Sequence, residues 1–239
     1  VKLTLDIGNT NTKYGFFEGK KLLEHGTLLG LNALSNFLKV RSGDFDKAIV
    51  CSVRYTNEEL RSFFSDDTEV LYLSHLTPIP IAMSYATPDT LGMDRLAAVV
   101  GAFEFFSGQA VMVIDVGTCI TYDYLNDRAV FEGGIISPGV ELRYKAMHDY
   151  TKRLPLLDDR EAEALIGDST TSAMRSGVIN GITGEIEYMI SQFLLKTPDL
   201  KVIITGGGAK VFESRIKADI FVTLEIVLVG LNRVLDYNA

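Results

Sequence analysis

Leu3-Thr4-Leu5-Asp6-Ile7-Gly8-Asn9-Thr10 and Met112-Val113-Ile114-Asp115-Val116-Gly117-Thr118 share one pattern: an apolar, β-branched run that ends in aspartate and is followed by glycine and threonine. Each copy predicts a strand that passes through a tight glycine turn into a second strand, Lys13 to Phe17 in the first and Ile120 to Tyr124 in the second. Both second strands meet a hairpin signal, Glu18-Gly19-Lys20 and Asn126-Asp127, with a third strand beyond it at Leu22 to Leu29 and Ala129 to Ser137. Helical stretches then alternate with short apolar strands at Ala48 to Val53, Val70 to Leu73 and Val202 to Thr205, an α/β order. The chain therefore reads as a duplication: two α/β domains at residues 1–108 and 109–239, parted at Ser107-Gly108-Gln109, with a ligand expected in the cleft between them.

Composition narrows the functions open to such a chain. At 239 residues, 47% hydrophobic and 23% charged, it has the make-up of a globular protein with its own core. Lys plus Arg number 23 against 31 Asp plus Glu, a net charge of −8 with no basic cluster to offset it, so a nucleic-acid partner is not expected. The longest apolar run, Leu96 to Phe103, falls far short of the roughly 20 residues that cross a bilayer. Val1 to Asp6 reads as a buried strand without a charged lead or an apolar signal stretch, and a cytoplasmic protein is expected. Cys51 and Cys119 form no Cys-x-x-Cys, and His25, His75 and His148 are scattered, which excludes a zinc-type pattern.

The turns themselves suit a polyphosphate. In Asp6-Ile7-Gly8-Asn9-Thr10-Asn11-Thr12-Lys13, glycine permits close approach of backbone N–H groups to phosphate oxygens. Threonine and asparagine side chains can donate, Lys13 supplies charge, and Asp6 can hold Mg2+ directly or through water. A single copy would be better read as a hairpin turn; its repetition at Asp115-Val116-Gly117-Thr118 favours the phosphate reading. Neither Gly-x-x-x-x-Gly-Lys-Ser/Thr nor Gly-x-Gly-x-x-Gly occurs, so the site is of another kind. Paired turns of this sort resemble those of the actin, sugar kinase and acetate kinase superfamily, whose two ribonuclease-H-like domains clasp ATP. Thr205-Gly206-Gly207-Gly208-Ala209 fits that resemblance as a strand-to-helix turn open to adenosine.

Four ordered motifs resemble one family within it, type III pantothenate kinase. They are the N-terminal Asp-x-Gly-Asn-Thr-x-x-Lys; Tyr85-Ala86-Thr87-Pro88 with Gly92-Met93-Asp94-Arg95; the second Asp-x-Gly-Thr turn; and Gly133-Gly134-Ile135-Ile136-Ser137-Pro138-Gly139. The resemblance spans essentially the whole chain. It implies ATP-dependent phosphorylation of pantothenate to 4′-phosphopantothenate at the start of coenzyme A synthesis, with Mg2+, a monovalent cation (K+ or NH4+), and a homodimer.

Position by position, the resemblance implies that Asp94 accepts the hydroxyl proton. Tyr85, Gly92, Met93, Asp94, Arg95 and Thr170 would bind pantothenate, with Thr171 the alternative to Thr170. Asp6, Ile7, Gly8, Asn9, Thr10, Asn11, Thr12 and Lys13 would bind ATP phosphates, with Asp6 also at a metal, and Thr118 would add an ATP contact. Asp115 would hold the monovalent cation. Ordinary readings compete: Asp94-Arg95 as the start of a helix, and Ser169-Thr170-Thr171 as a helix N-cap. Cys119 reads as a small buried residue, and Gly177, Gly181 and Gly184 read as a face that another helix approaches, within the chain or across a dimer. The rival function is a nucleotide-binding regulatory protein of the same fold without kinase activity.

Overall fold

The computed structural model describes residues 1–158, 160 and 164–239. It divides into two compact units: residues 1–107, 129–132 and 225–239 form the first, and residues 108–128 and 133–224 the second. The chain first passes from one unit to the other after Ser107, and the division is not one cut, because residues 129–132 and the C-terminal helix return to the first unit.

In the first unit, β1 (Lys2–Ile7), β2 (Thr12–Glu18) and β3 (Lys21–Leu28) precede α1 (Gly30–Val40), β4 (Lys47–Ser52), α2 (Asn57–Arg61), β5 (Glu69–Tyr72), β6 (Ala82–Met83) and α3 (Met93–Phe105). The sheet order is β3-β2-β1-β4-β5, with β1 antiparallel to β2 and parallel to β4, and β4 parallel to β5. Leu3, Leu5 and Ile7 face one side with Ala48, Val50, Leu34 and Leu38, forming a core under α1. By the two-residue period of a strand, Thr4, Asp6, Ile49 and Cys51 project from the opposite face.

The second unit contains β7 (Val111–Val116), β8 (Cys119–Leu125), β9 (Val130–Pro138), α4 (Val140–Asp149), α5 (Thr170–Lys196), β10 (Lys201–Thr205), α6 (Ala209–Glu213) and β11 (Phe221–Val222). Its strands lie in the order β9-β8-β7-β10-β11, matching β3-β2-β1-β4-β5 strand for strand. The senses match too, antiparallel for β7 with β8 and parallel for β7 with β10 and β10 with β11. The duplication inferred from two short turns thus extends to five strands per unit. The first three residues of β9 belong to the first unit, where Val130 and Phe131 pair with Ala82 and Met83 of β6.

The last helix, α7 (Ile226–Tyr237), packs on α3 in the first unit. Two glycines allow the backbones to touch: a Cβ on Gly230 would sit 1.7 Å from the Ala97 carbonyl oxygen, and one on Gly101 would sit 2.2 Å from that of Ile226. Leu96 to Ala102 of α3 are all buried, so this helix lacks the polar face of a surface helix. Among the described residues, no helix is long and apolar enough to cross a membrane.

Candidate active site

In the first unit the phosphate turn is tight. The Gly8 N–H donates to the Asn11 carbonyl at 3.0 Å, and a side chain at position 8 would come within 3.3 Å of that oxygen. Arg54 braces the same loop by donating to the Asn9 carbonyl at 3.1 Å. Asn9, Thr10 and Asn11 are exposed, whereas Ile7 and Thr12 are buried. Ile7 and Thr12 can therefore offer a phosphate only their backbone, while the turn's exposed side chains remain accessible.

Asp6 lies directly opposite Lys13 across β1 and β2, and beside Cys51 across β1 and β4. Directly opposed residues project from the same face, so the carboxylate, the ammonium and the thiol share one face at the strand ends. Burial, then the charges of Asp6 and Asp94, push the Cys51 thiol well above its ordinary value. The aspartate of the phosphate turn and the aspartate of Gly92-Met93-Asp94-Arg95 belong to the same unit.

Asp94 sits in the first turn of α3, whose N-cap is Gly92. Its Oδ1 accepts from the Arg95 N–H at 2.9 Å, and a Cβ on Gly92 would lie 2.6 Å from that oxygen. Glycine is thus what lets the carboxylate fold back over the helix start. The cap of α3 is Gly92 and not the Asp94-Arg95 pair: the helix begins at Met93, ahead of the expected Leu96, and Asp94 lies within its first turn, partly buried. Arg95 is buried, with its guanidinium carbon 5.9 Å from the Tyr85 ring centre. Tyr85 in turn stacks on Phe131, centroids 6.0 Å apart and planes 4° from parallel. Phe131 was not singled out from the sequence, since its pairing beside β6 depends on a contact nearly fifty residues away in the chain.

In the second unit, the Gly117 N–H donates to the Cys119 carbonyl at 3.0 Å, closing the corresponding turn. Thr118 and Cys119 are exposed. The expectation that Cys119 is buried is corrected: it is the first residue of β8, ahead of the buried Ile120. Asp115 pairs across the sheet with Thr205, the last residue before the three glycines. Gly206 has φ +90°, and a Cβ there would lie 2.2 Å from Asp115 Oδ1 and 2.7 Å from the Val116 carbonyl oxygen. The glycine turn therefore lies flat against the aspartate strand, held also by the Gly208 N–H donating to Val116 O at 2.8 Å. Arg160 lies over this turn, donating to Gly207 O at 3.0 Å and to Glu141 at 2.7 Å.

Ser169 is the N-cap of α5, in a reciprocal capping box with Ser172, so the cap reading applies to Ser169 and places Thr170 at the first helical position, exposed. On the same helix, Gly177 and Gly184 have nothing within 4 Å of a built Cβ. Among the described residues, no helix packs on them. Two open cavities of the second unit, about 520 and 710 Å³, are lined by Pro198, Asp199 and Lys201, at the start of β10. They lie at the opposite strand ends from Asp115 and Thr205, whereas ligands of open α/β sheets bind beyond the carboxyl ends.

The chain is similar to known proteins in sequence and in fold. The chain is 41% identical over 238 residues to a type III pantothenate kinase of Cytophaga hutchinsonii, covering all of both chains. It is 41% identical over 244 residues to one of Bacteroides fragilis, covering 100% of this chain and 98% of that one. Among solved structures, a Campylobacter jejuni protein assigned to the Baf family of transcriptional activators superposes with a TM-score of 0.65 at 21% identity, over 99% of this chain and 98% of that one. The ROK hexokinase of Thermus thermophilus does so at 0.54 and 12% identity, over 98% and 99%. These structural likenesses establish the two-domain, ribonuclease-H-like fold of the actin and sugar kinase group. The sequence pattern described as type III pantothenate kinase matches residues 2–192, and with full-length relatives at this identity the chain belongs to the type III pantothenate kinase family.

Proposed function

We propose that Asp94 accepts the hydroxyl proton in the reaction of this kinase, the ATP-dependent phosphorylation of pantothenate to 4′-phosphopantothenate that opens coenzyme A biosynthesis. The observation that carries the assignment is the position of Asp94 in the first turn of α3, partly buried and directly before the buried Arg95 that lies near the Tyr85 ring. This helix start offers a carboxylate in the same unit as the Asp6 turn. Phosphoryl transfer needs little covalent help from the protein, but it benefits from a group that orients the attacking hydroxyl and takes its proton.

The other residues follow from their chemistry. Arg95, buried against Tyr85, presents a planar donor fork suited to the pantothenate carboxylate or to charge on the phosphoryl group. Gly92 and Met93 shape that edge, and Thr170, or Thr171 beside it, adds a substrate contact. Residues 6–13 hold the ATP phosphates through backbone N–H groups, exposed Asn and Thr side chains and Lys13, and Thr118 supplies a further contact.

Mg2+ fits Asp6, directly or through water: among the described residues no three ligating side chains gather, and Mg2+ is held by one or two carboxylates together with substrate phosphates. The ion would neutralise phosphate charge. A monovalent cation, K+ or NH4+, suits Asp115, where a carboxylate and the Val116 carbonyl oxygen adjoin at the side-chain-free Gly206. A homodimer is supported by α5, where Gly177, Gly181, Gly184, Tyr188 and Leu195 recur at helical spacing and are all exposed.

The regulatory alternative predicts a damaged site, yet Asp6, Asp94, Arg95 and Asp115 are all present. The experiment follows ATP consumption with Mg2+, with and without pantothenate and with K+, NH4+ or neither. Consumption that requires pantothenate and rises with the monovalent ion supports the reading. ATP bound but not consumed under every condition would favour the regulatory alternative.

A further inference from the structure

The second phosphate turn is one member of a closed ring of hydrogen bonds. Its Thr118 carbonyl accepts from the Gly139 N–H at 3.0 Å, and a Cβ on Gly139 would lie 2.3 Å from Gly117 O and 2.6 Å from Thr118 O. The position of the turn is therefore set by the end of β9, which presses on it directly. That end is gripped by Arg143 of α4, whose Nε donates to Pro138 O at 2.8 Å and whose Nη2 donates to Ser137 Oγ at 3.1 Å. Arg143 Nη2 also pairs with Glu185 of α5, and the other Glu185 oxygen accepts from the Tyr122 hydroxyl at 2.8 Å. Tyr122 is fully buried on β8, the strand that begins right after the turn, so the ring returns to its start.

The pair has the properties of a brace. Arg143 and Glu185 expose only 21% and 22% of their side chains, so neither is a freely solvated surface ion. Burial would raise the Glu185 carboxyl, but hydrogen bonds from Tyr122, Arg143 and Ser137 hold it below the ordinary glutamate value. Burial and the Glu185 contact push the Tyr122 phenol well up, so it stays a donor. A planar guanidinium can engage a carbonyl, a hydroxyl and a carboxylate at once, which an ammonium cannot do in fixed geometry.

We propose that Arg143 and Glu185 are positioning residues for nucleotide binding, holding the Gly117-Thr118 turn in register through the end of β9. The proposal rests on the kinase reading and on Thr118 as a nucleotide contact. Neither side chain belongs to the unit that carries Tyr85 and Asp94, and Glu185 lies about four turns along α5 from Thr170, so their loss should affect ATP and leave pantothenate recognition unchanged.

The test compares Arg143→Lys, Arg143→Ala and Glu185→Gln with the unaltered chain. It measures KM for each substrate, kcat, direct binding of ATP by titration calorimetry, and Tm. Ile186→Val, in the core beside Glu185 on α5, reports what a loss of stability alone does. The expected result is an ATP affinity and KM weakened by about tenfold or more in all three variants, pantothenate KM unchanged within about twofold, and no ATP effect in Ile186→Val. Arg143→Lys should recover Tm more than it recovers ATP affinity. Unchanged ATP binding, or equal rises in both KM values, would overturn the proposal even in variants that fold normally. A failure of the unaltered chain to phosphorylate pantothenate would count against the kinase reading, while calorimetry would still decide the brace.

Discussion

Gly230→Ala adds one methyl group where α7 crosses α3, and it tests whether that crossing sets the place of Asp94. The new Cβ would lie 1.7 Å from the Ala97 carbonyl oxygen, 2.7 Å from its carbon and 2.8 Å from Gly101 N, all backbone atoms that cannot swing away. Restoring an ordinary contact requires the helices to separate by roughly 1.5 Å, in an interior packed like a crystal. Alanine gains about 1 kcal/mol over glycine in helix propensity, while overpacking costs about 1–3 kcal/mol. The strain outweighs the propensity gain, and with about 2–4 °C per kcal/mol in a chain of this size, Tm should fall by several degrees. Ala97 lies one turn beyond Asp94 on α3, so the shift is transmitted to the site. A displacement of about 1 Å of a positioned group can cost about a hundredfold in rate. The assay is kcat for 4′-phosphopantothenate formation together with thermal unfolding. A raised Tm with kcat unchanged would show that the crossing yields easily and that it does not position Asp94.

Two further predictions use features outside the reaction. Under native conditions one cysteine should react with a thiol reagent, Cys119, because Cys51 is fully buried and its thiol is pushed well up by burial and by Asp6 and Asp94. Labelling should slow with ATP and Mg2+ and abolish activity; fast reaction of Cys51 in the folded enzyme would contradict the described packing. Gly184→Leu adds bulk at an α5 position where, among the described residues, nothing lies within 4 Å of a built Cβ, so the fold should persist while a dimer dissociates, read by light scattering. A dimer unaffected by Gly184→Leu would remove α5 from the interface.

Much of the fold was legible because it is written twice. An apolar run, aspartate and glycine recur at Asp6 and Asp115, and the strands after them alternate in short, bounded segments, so the duplicated sheets could be read locally. What escaped were contacts fixed by distant partners. The return of α7 to α3 depends on Gly101 and Gly230, which no local pattern ties to each other. Cys119 was misplaced because a strand's first residue carries no pattern of its own, while Ile120 beside it is buried. The α5 helix extends well beyond the glycines that marked it in the sequence, from a capping box at Ser169 and Ser172 to Lys196.

Within the candidate site, the residues of the first unit could be named from motifs, but what surrounds them could not. Nothing in the chain order announces that Cys51 lies beside Asp6 and senses Asp94, or that Phe131 supports Tyr85. Arg143 and Glu185 stand 42 residues apart and are ordinary charges on two helices until the structure joins them.

The most direct measurement is single-turnover formation of 4′-phosphopantothenate by Asp94→Asn beside the unaltered enzyme, at saturating ATP, pantothenate, Mg2+ and K+. The amide keeps the size of the carboxylate and cannot accept the proton, so the rate should fall by about 10²- to 10⁴-fold, with ATP binding and Tm retained. A rate within a few-fold of the unaltered enzyme would contradict the assignment of Asp94 as the proton acceptor.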